Sequence, residues 1–227
     1  YNTSTGGYNF QLARYTDSGA LDVSFDGDGK VIKDFGDYNE ANYITQQADG
    51  KLVVISNGYS SINGTENFQL TRLKNNGGLD TSFDGDGKVV SDFSGDVHAQ
   101  LVVHQADGKL VVASHVDNLI GNVDFQVYRY TANGAIDPTF DNDGSVLFDF
   151  GLDDDLEGFM LQPDGKLVLA GDAYNQVTGN QEFLTVRLDM PDTDGDGVRD
   201  TVDAFPSNPA EALDTDRDGI GNNADTN

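Results

Sequence analysis

The chain has no cysteine among its 227 residues. No disulfide framework, thiolate metal site or thiol nucleophile is available to it, so outside the cell it has to be held by packing or by metal. Positive charge is scarce. Thirteen lysines and arginines face 39 aspartates and glutamates, a formal net charge of −26, which repels nucleic acid and anionic lipid and favours divalent cations. No apolar run approaches the roughly 20 residues that span a bilayer, and no signal peptide is visible. Also missing are a nucleophile–histidine–acid set and a phosphate-cradling loop. Histidine is limited to His98, His104 and His115, all in one part of the chain. A zinc site needs three or four ligands converging on one point. With a hairpin turn at Asp107-Gly108, His104 and His115 are out of register, and surface or half-buried histidines are expected.

What the chain has in quantity is repetition. QADGKLV at Gln47–Val53 returns as QADGKLV at Gln105–Val111 and as QPDGKLV at Gln162–Val168, at steps of 58 and 57 residues. FDGDGKV at Phe25–Val31 returns at Phe83–Val89 and, as FDNDGSV, at Phe140–Val146. NFQLARY at Asn9–Tyr15 becomes NFQLTRL, DFQVYRY and finally EFLTVRL at Glu182–Leu188, so this strand occurs four times and the rest of the period three. Such a step points to a solenoid, propeller or array. Within one period, Phe10–Tyr15 alternates apolar and polar residues, as a strand with one buried face does. Lys30–Phe35 and Ala41–Gln47 are two further strand candidates. Lys51–Ser56 is a nearly continuous β-branched run, expected where both faces are covered. The Asp-Gly of QADGKLV supplies the positive backbone angle of a tight hairpin. The reading is all-β: a propeller-like array of about three four-stranded repeats of 57–58 residues plus one extra strand, with repeats starting near residues 10, 68, 125 and 183.

Several polar features keep the period. Arg14, Arg72, Arg129 and Arg187 stand in the four copies of one strand, and Asp22, Asp80 and Asp137 follow the first three eight residues on. Repetition argues for scaffold, each arginine tying its blade through that acid; ligand binding is the alternative. In the FDGDGK loops, Ser24, Asp26, Asp28 and Gly29 resemble positions one, three, five and six of a calcium loop. Positions nine and twelve fall on Ile32 and Phe35, which offer no side-chain oxygen. An Asp/Gly turn before a strand is one reading, a weak calcium site completed by another loop the other. Asn2-Thr3-Ser4 and Asn63-Gly64-Thr65 fit the N-glycosylation pattern, which also arises by chance in Asn-rich loops. The acids Asp153, Asp154, Asp155 and Glu157 break the repeat, as a solvated loop or as a site unique to one blade.

At Asp189-Met190-Pro191 the repeat stops, placing a boundary between residues 1–189 and 190–227. The tail carries DTDGDGVRDTVD from Asp192 and DTDRDGIGNNAD from Asp214, 22 residues apart. Numbered from Asp192, carboxylates fall at positions one, three and five (Asp192, Asp194, Asp196), with Gly197 at six and the Val198 carbonyl at seven. Asp200 and Asp203 stand at nine and twelve. The second loop repeats the pattern with Asp214, Asp216, Asp218, Gly219, the Ile220 carbonyl, Asn222 and Asp225. All twelve positions of a calcium loop are thereby met, with Asp where an EF-hand places Glu. An acidic disordered linker would not duplicate the glycine, the apolar residue after it and the later ligands. The apolar sequence between the loops is too short for EF-hand helices, and an irregular calcium-stapled cable is expected.

The tail DTDGDGVRDTVDAFPSNPAEALDTDRDGIGNNAD closely resembles bacterial thrombospondin type 3 calcium-binding repeats. The resemblance covers Asp192–Asp225 and implies Ca2+ at the residues just named; the cysteines of the animal versions are absent, and Asn222 stands where Asp is usual. Residues 1–189, through FQLARYTDSGALDVSFDGDGKV followed by QADGKLVV, resemble the delta-60 family of bacterial β-propeller repeats. That family carries no catalytic motif to transfer, and it implies a secreted or surface-exposed propeller-like scaffold. The functional expectation is a non-enzymatic, calcium-binding extracellular or cell-surface structural or adhesive protein, with possible surface glycans as partners. The alternative is a carbohydrate-active or hydrolytic propeller with its site in one blade. The chain begins inside a repeat, and three periods do not close a ring. Self-association, for example in a filament, or membership of a larger parent chain is therefore also expected.

Overall fold

The computed structural model describes residues 10–33, 38–59, 64–91, 93, 95–105, 107–117, 121–141, 143–151, 153–162, 165–188, 208 and 210. Among them are thirteen strands and no helix, and no helix long and apolar enough to cross a membrane. β1 (Phe10–Ala13) pairs with β2 (Lys30–Lys33). Next come β3 (Tyr38–Gln46), β4 (Leu52–Tyr59), β5 (Glu66–Leu73) and β6 (Lys88–Val90). β7 (Val97–His104), β8 (Leu110–Asp117), β9 (Val123–Tyr130) and β10 (Ser145–Phe148) follow. β11 (Asp154–Leu161), β12 (Leu167–Asn175) and β13 (Asn180–Leu188) complete the set.

These strands form four antiparallel sheets: β1-β2, β3-β4-β5-β6, β7-β8-β9-β10 and β11-β12-β13. The expected all-β array of four-stranded units is thus found, with a phase that the sequence repeat conceals. A unit counted from Phe10 is divided between two sheets, because the strand carrying the arginine is the third of its blade and not the first. Pairing sets this phase. In QADGKLV the Gly50 N–H donates to the Gln47 carbonyl at 2.8 Å and the Gln47 N–H to that of Lys51 at 2.8 Å. The turn thereby locks β3 to β4 with Gln46 opposite Leu52.

The sheets stack face to face, and the core lies between them. On β4, Val53 and Ile55 enter the cluster facing the next sheet with Phe68, Leu70, Val97, Val102 and Val112, while Val54 enters the cluster facing β1-β2 with Phe10, Phe25 and Val31. β8 repeats the division. Leu110 and Val112 point back, while Val111 and Ala113 point forward to Phe125, Phe140, Leu156 and Leu167. A strand buried on both faces has to be apolar at successive positions, which explains the β-branched runs KLVVIS and KLVVAS. Each fully buried Val, Leu or Phe contributes about 1.5–3 kcal/mol of transfer free energy.

Strands β3, β7 and β11 touch in succession along the array, and each is bulged at the same point. Register shifts between Ala41 and Tyr43, between Ala99 and Leu101, and between Leu156 and Gly158 leave Asn42, Gln100 and Glu157 as the extra residues. A bulge twists its strand and re-aims one side chain.

Candidate functional site

The repeated polar residues assemble into a clasp at every described blade joint. Arg14 Nε donates to Asp22 Oδ2 at 2.8 Å, Arg72 Nε to Asp80 Oδ2 at 2.8 Å, and Arg129 Nε lies 2.7 Å from Asp137 Oδ2. Behind each, a second guanidinium nitrogen reaches the hydroxyl of Ser24, Ser82 or Thr139. Each guanidinium also lies over the ring of Phe25, Phe83 or Phe140, at 4.6, 4.5 and 5.1 Å. The clasp crosses to the following blade as well: Arg14 Nη1 donates to the Asn75 carbonyl and Arg72 Nη1 to that of Ala132. The lysine of QADGKLV joins it, with Lys51 Nζ 3.3 Å from Asp80 and Lys109 Nζ 3.4 Å from Asp137. Two motifs about 30 residues apart in sequence therefore meet on one carboxylate. Burial alone would raise the Asp80 pKa. The Ser82 hydroxyl and N–H, with Arg72 and Lys51, outweigh it and bring Asp80 down to about 2. Asp137 is lowered against the same burial by Thr139, Arg129 and Lys109.

The FDGDGK loops serve the same joint. Asp26 and Asp84 hold the left-handed conformation, with φ of 53° and 49°. From there the Asp26 N–H donates to the Asn76 carbonyl at 2.7 Å and the Asp84 N–H to that of Asn133 at 2.8 Å, each in the next blade. Asp28 Oδ1 accepts from the Lys30 N–H, and Asp22 Oδ1 from both the N–H and the hydroxyl of Ser24. Of the oxygens that a calcium reading would use, Asp28 Oδ1 and the Ser24 hydroxyl are engaged in the turn and its clasp. Arg187 on β13 is exposed, and the loop that follows it lies outside the described residues. So do Asp192, Asp194, Asp196, Val198, Asp200, Asp203, Asp214, Asp216, Asp218, Ile220, Asn222 and Asp225, together with the acceptor residues Asn2 and Asn63.

His104 sits opposite Leu110, away from His115, as its register predicts, but the β7 bulge brings His98 directly opposite His115. His115 Nε2 accepts the Leu156 N–H at 2.7 Å. One joint earlier the corresponding N–H, that of Ala99, is taken by Asn57 Oδ1 at 3.0 Å. Both N–H groups lie beside a bulge, where the ladder leaves a donor over. His115 is thus a fastener between blades. Burial lowers its pKa, against the pull of Asp155.

Of the four acids that break the repeat, Glu157 is the exposed bulge residue of β11. Asp153 Oδ1 accepts the Val123 N–H, just as Asp96 accepts that of Glu66 one blade earlier. Asp155 lies 3.2 Å from His115 Nε2. Asp154 is completely buried, where a solvated loop would have exposed it. Its Oδ2 accepts the Phe150 N–H at 2.7 Å, and its Oδ1 has no hydrogen-bond partner. Asp124, 2% exposed, and the exposed Asp149 complete a group in which one oxygen of each residue lies within 4.8 Å of the others. Burial raises the Asp154 pKa, and Asp124, Asp149 and Asp153 raise it further against the Phe150 N–H. Sequence reasoning passed over Asp124 and Asp149. The signal was the repeat itself: in the preceding blade Asn67, Asp92 and Val97 hold the corresponding places. There Asn67 Oδ1 takes the Phe93 N–H, which is the task Asp154 performs for Phe150. An open cleft of about 520 Å³, lined by Phe150, Gly151, Ala173, Tyr174 and Phe183 among others, lies beside the group.

Three stretches, residues 47–83, 105–140 and 162–192, match a family described as a domain of unknown function (DUF5122) beta-propeller. They mark a β-propeller repeat segment, and the first two each run from the DGK turn through the arginine strand to the clasp acid. A crystal structure of a protein of unknown function from Dyadobacter fermentans DSM 18053 is similar at 11% identity and a TM-score of 0.41. The match covers 68% of this chain and 43% of that one, so the chain spans less than half of that protein's length. No curated protein matches the chain.

Proposed function

We propose that the protein is a non-enzymatic extracellular or cell-surface scaffold in which a β-propeller repeat segment is joined to a calcium-stiffened tail of thrombospondin type 3 character. The observation that carries the scaffold half is the clasp. At the described joints the repeated Arg, Asp and Ser or Thr side chains are spent on one another; the turn lysine joins two of the three clasps, and the arginines of the first two also hold the next blade's backbone. The tail half rests on two complete twelve-position oxygen loops in the sequence. Ten carboxylates with two arginines in residues 190–227 repel one another until a cation is present, so binding and ordering are one event there. The absence of cysteine and the net charge of −26 suit a calcium-rich medium, where metal can do what disulfides do elsewhere.

Calorimetric titration of the metal-free full chain with calcium tests this. Two tail ions are expected, with Asp196→Ala weakening one and Asp218→Ala the other. Isotherms that neither substitution alters would end the calcium reading. A hydrolytic reading retains one supporting observation, the exposure of Glu157 at a bulge of β11. Polysaccharide cleavage abolished by Glu157→Gln would favour it over a scaffold.

A further inference from the structure

The joint between the β7–β10 and β11–β13 sheets holds a charge problem that the preceding joint does not have. Asp124 and Asp154 are buried to 2% and 0% exposure, and their carboxylates share a small space with that of Asp149. Two buried carboxylates with a third at the rim cannot all stay ionised unless something positive joins them. The preceding blade shows that the fold does not require them. With Asn67 and Val97 at the corresponding places, the same Phe N–H is satisfied by a neutral amide.

We infer that Asp124, Asp149 and Asp154 form a divalent-cation site between β9, the β10–β11 connection and β11, separate from the acidic tail. The geometry suits a hard cation that takes oxygen ligands. Two oxygens bound to one Ca2+ at about 2.4 Å can lie at most about 4.8 Å apart, and no pair in the group exceeds 4.8 Å. Asp154 is oriented for the task. The Phe150 N–H holds Oδ2, while Oδ1, buried and without a hydrogen-bond partner, is left to a ligand. Asp149 is braced by the Gly151 N–H on its Oδ1 at 2.9 Å and is exposed, which gives an ion a way in. One proton shared by the group would leave it at about −2, whereas a divalent cation leaves about −1, with carbonyls and waters free to complete the six to eight oxygens that calcium prefers. The chain's overall negative field concentrates cations nearby. The site would pin the Asp149–Leu156 segment to β9 and so stiffen the joint between the β7–β10 and β11–β13 sheets.

The test compares three full-length chains with intact tails, stripped of metal and titrated with calcium chloride by equilibrium dialysis. Asp124→Asn/Asp154→Val restores the preceding blade's residues and is expected to bind one ion fewer per chain than the wild type. In chelator it is expected to unfold at a higher temperature than the wild type, because two buried like charges are gone. Asp149→Asn leaves the buried pair in place and is expected to keep the count while weakening one ion about tenfold, through loss of a charged ligand. Equal counts and equal affinities in all three would overturn the site. If the double variant does not fold, Asp149→Asn decides alone: an unchanged affinity for every ion overturns the inference. Because the tail loops are the same in all three chains, their failure to bind would not mimic either result.

Discussion

Arginine-to-methionine substitution at the three clasps sets the same chemistry at three depths. Arg129 and Asp137 have side chains 0% and 4% exposed, Arg72 and Asp80 6% each, and Arg14 and Asp22 36% and 26%. Methionine keeps most of the stem that packs over the phenylalanine ring and removes only the charge and its donors. At position 129 this strands a buried carboxylate, and breaking a buried pair from one side costs about 3–5 kcal/mol. Lys109 at 3.4 Å and the Thr139 hydroxyl at 2.8 Å remain on Asp137, which places the expected cost near the lower end, about 3 kcal/mol. In a domain of this size that corresponds to a fall in Tm of about 6–12 °C. Arg72→Met is expected to cost nearly as much, since it also forfeits the bond to the Ala132 carbonyl. At position 14 water screens both partners, and the loss is expected to be several-fold smaller. Urea unfolding at pH 7 and fixed calcium, followed by circular dichroism, reads all three. Equal losses at positions 14 and 129 would refute the clasp as a burial-dependent tie. As a further check, Arg129→Met/Asp137→Leu is expected to regain most of what the single substitution loses.

Asp80, held at about 2 in the folded chain against an ordinary 3.8, contributes about 2 kcal/mol that is fully present above about pH 4 and is lost as the pH falls towards 2. Asp80→Asn is expected to flatten the acid limb of the stability curve, and an unchanged limb would remove Asp80 from the account. His115 has a folded pKa lowered by burial. Its contribution is complete above its unfolded value of about 6.5 and declines as the pH falls below it, because the imidazolium can no longer accept the Leu156 N–H. Asp155, His98 and Glu157 bear on the same ring. His115→Gln, which keeps an acceptor, is expected to lose the stability slope between pH 7.5 and 5.5, and a persisting slope would assign it elsewhere. Gly144 sits at φ +90°, and a Cβ there would lie 2.5 Å from Ile136 Cγ1; Gly85, at φ +84°, has open space. Gly144→Ala should therefore lower the thermal midpoint well beyond the effect of Gly85→Ala, which bears only the strain of φ, about 1 kcal/mol.

The blades were legible because each strand advertises its burial. Alternation marks β1, where one face is solvated, and unbroken β-branched runs mark β4 and β8, which are packed on both sides. The pairing of arginine with the acid eight residues on was legible from the repeat alone. The phase of the blades was not, since a periodic sequence has no preferred origin and only the hydrogen-bonded ladder says that the arginine strand comes third. Lys51 meets Asp80 through the pairing of β4 with β5, and His115 meets Leu156 across two sheets beside a bulge; both bring distant residues together in ways that no local pattern records. The acids between β9 and β11 were partly visible. Asp154 stood out as a departure, but its burial follows from a place on β11 that a run of three aspartates disguises as surface. Asp124 and Asp149 stand in segments that follow the period, and only position-by-position comparison with Asn67 and Asp92 sets Asp124 apart.

The central claim divides the chain into blades that stand by packing and clasps and a tail that stands by metal. Hydrogen-exchange mass spectrometry of the full chain, with calcium and then with chelator, tests it most directly. Chelation is expected to strip protection from residues 192–225 while peptides covering β4, β5 and β8 keep theirs. Loss of protection throughout those strands, or a tail equally protected in both conditions, would contradict the account.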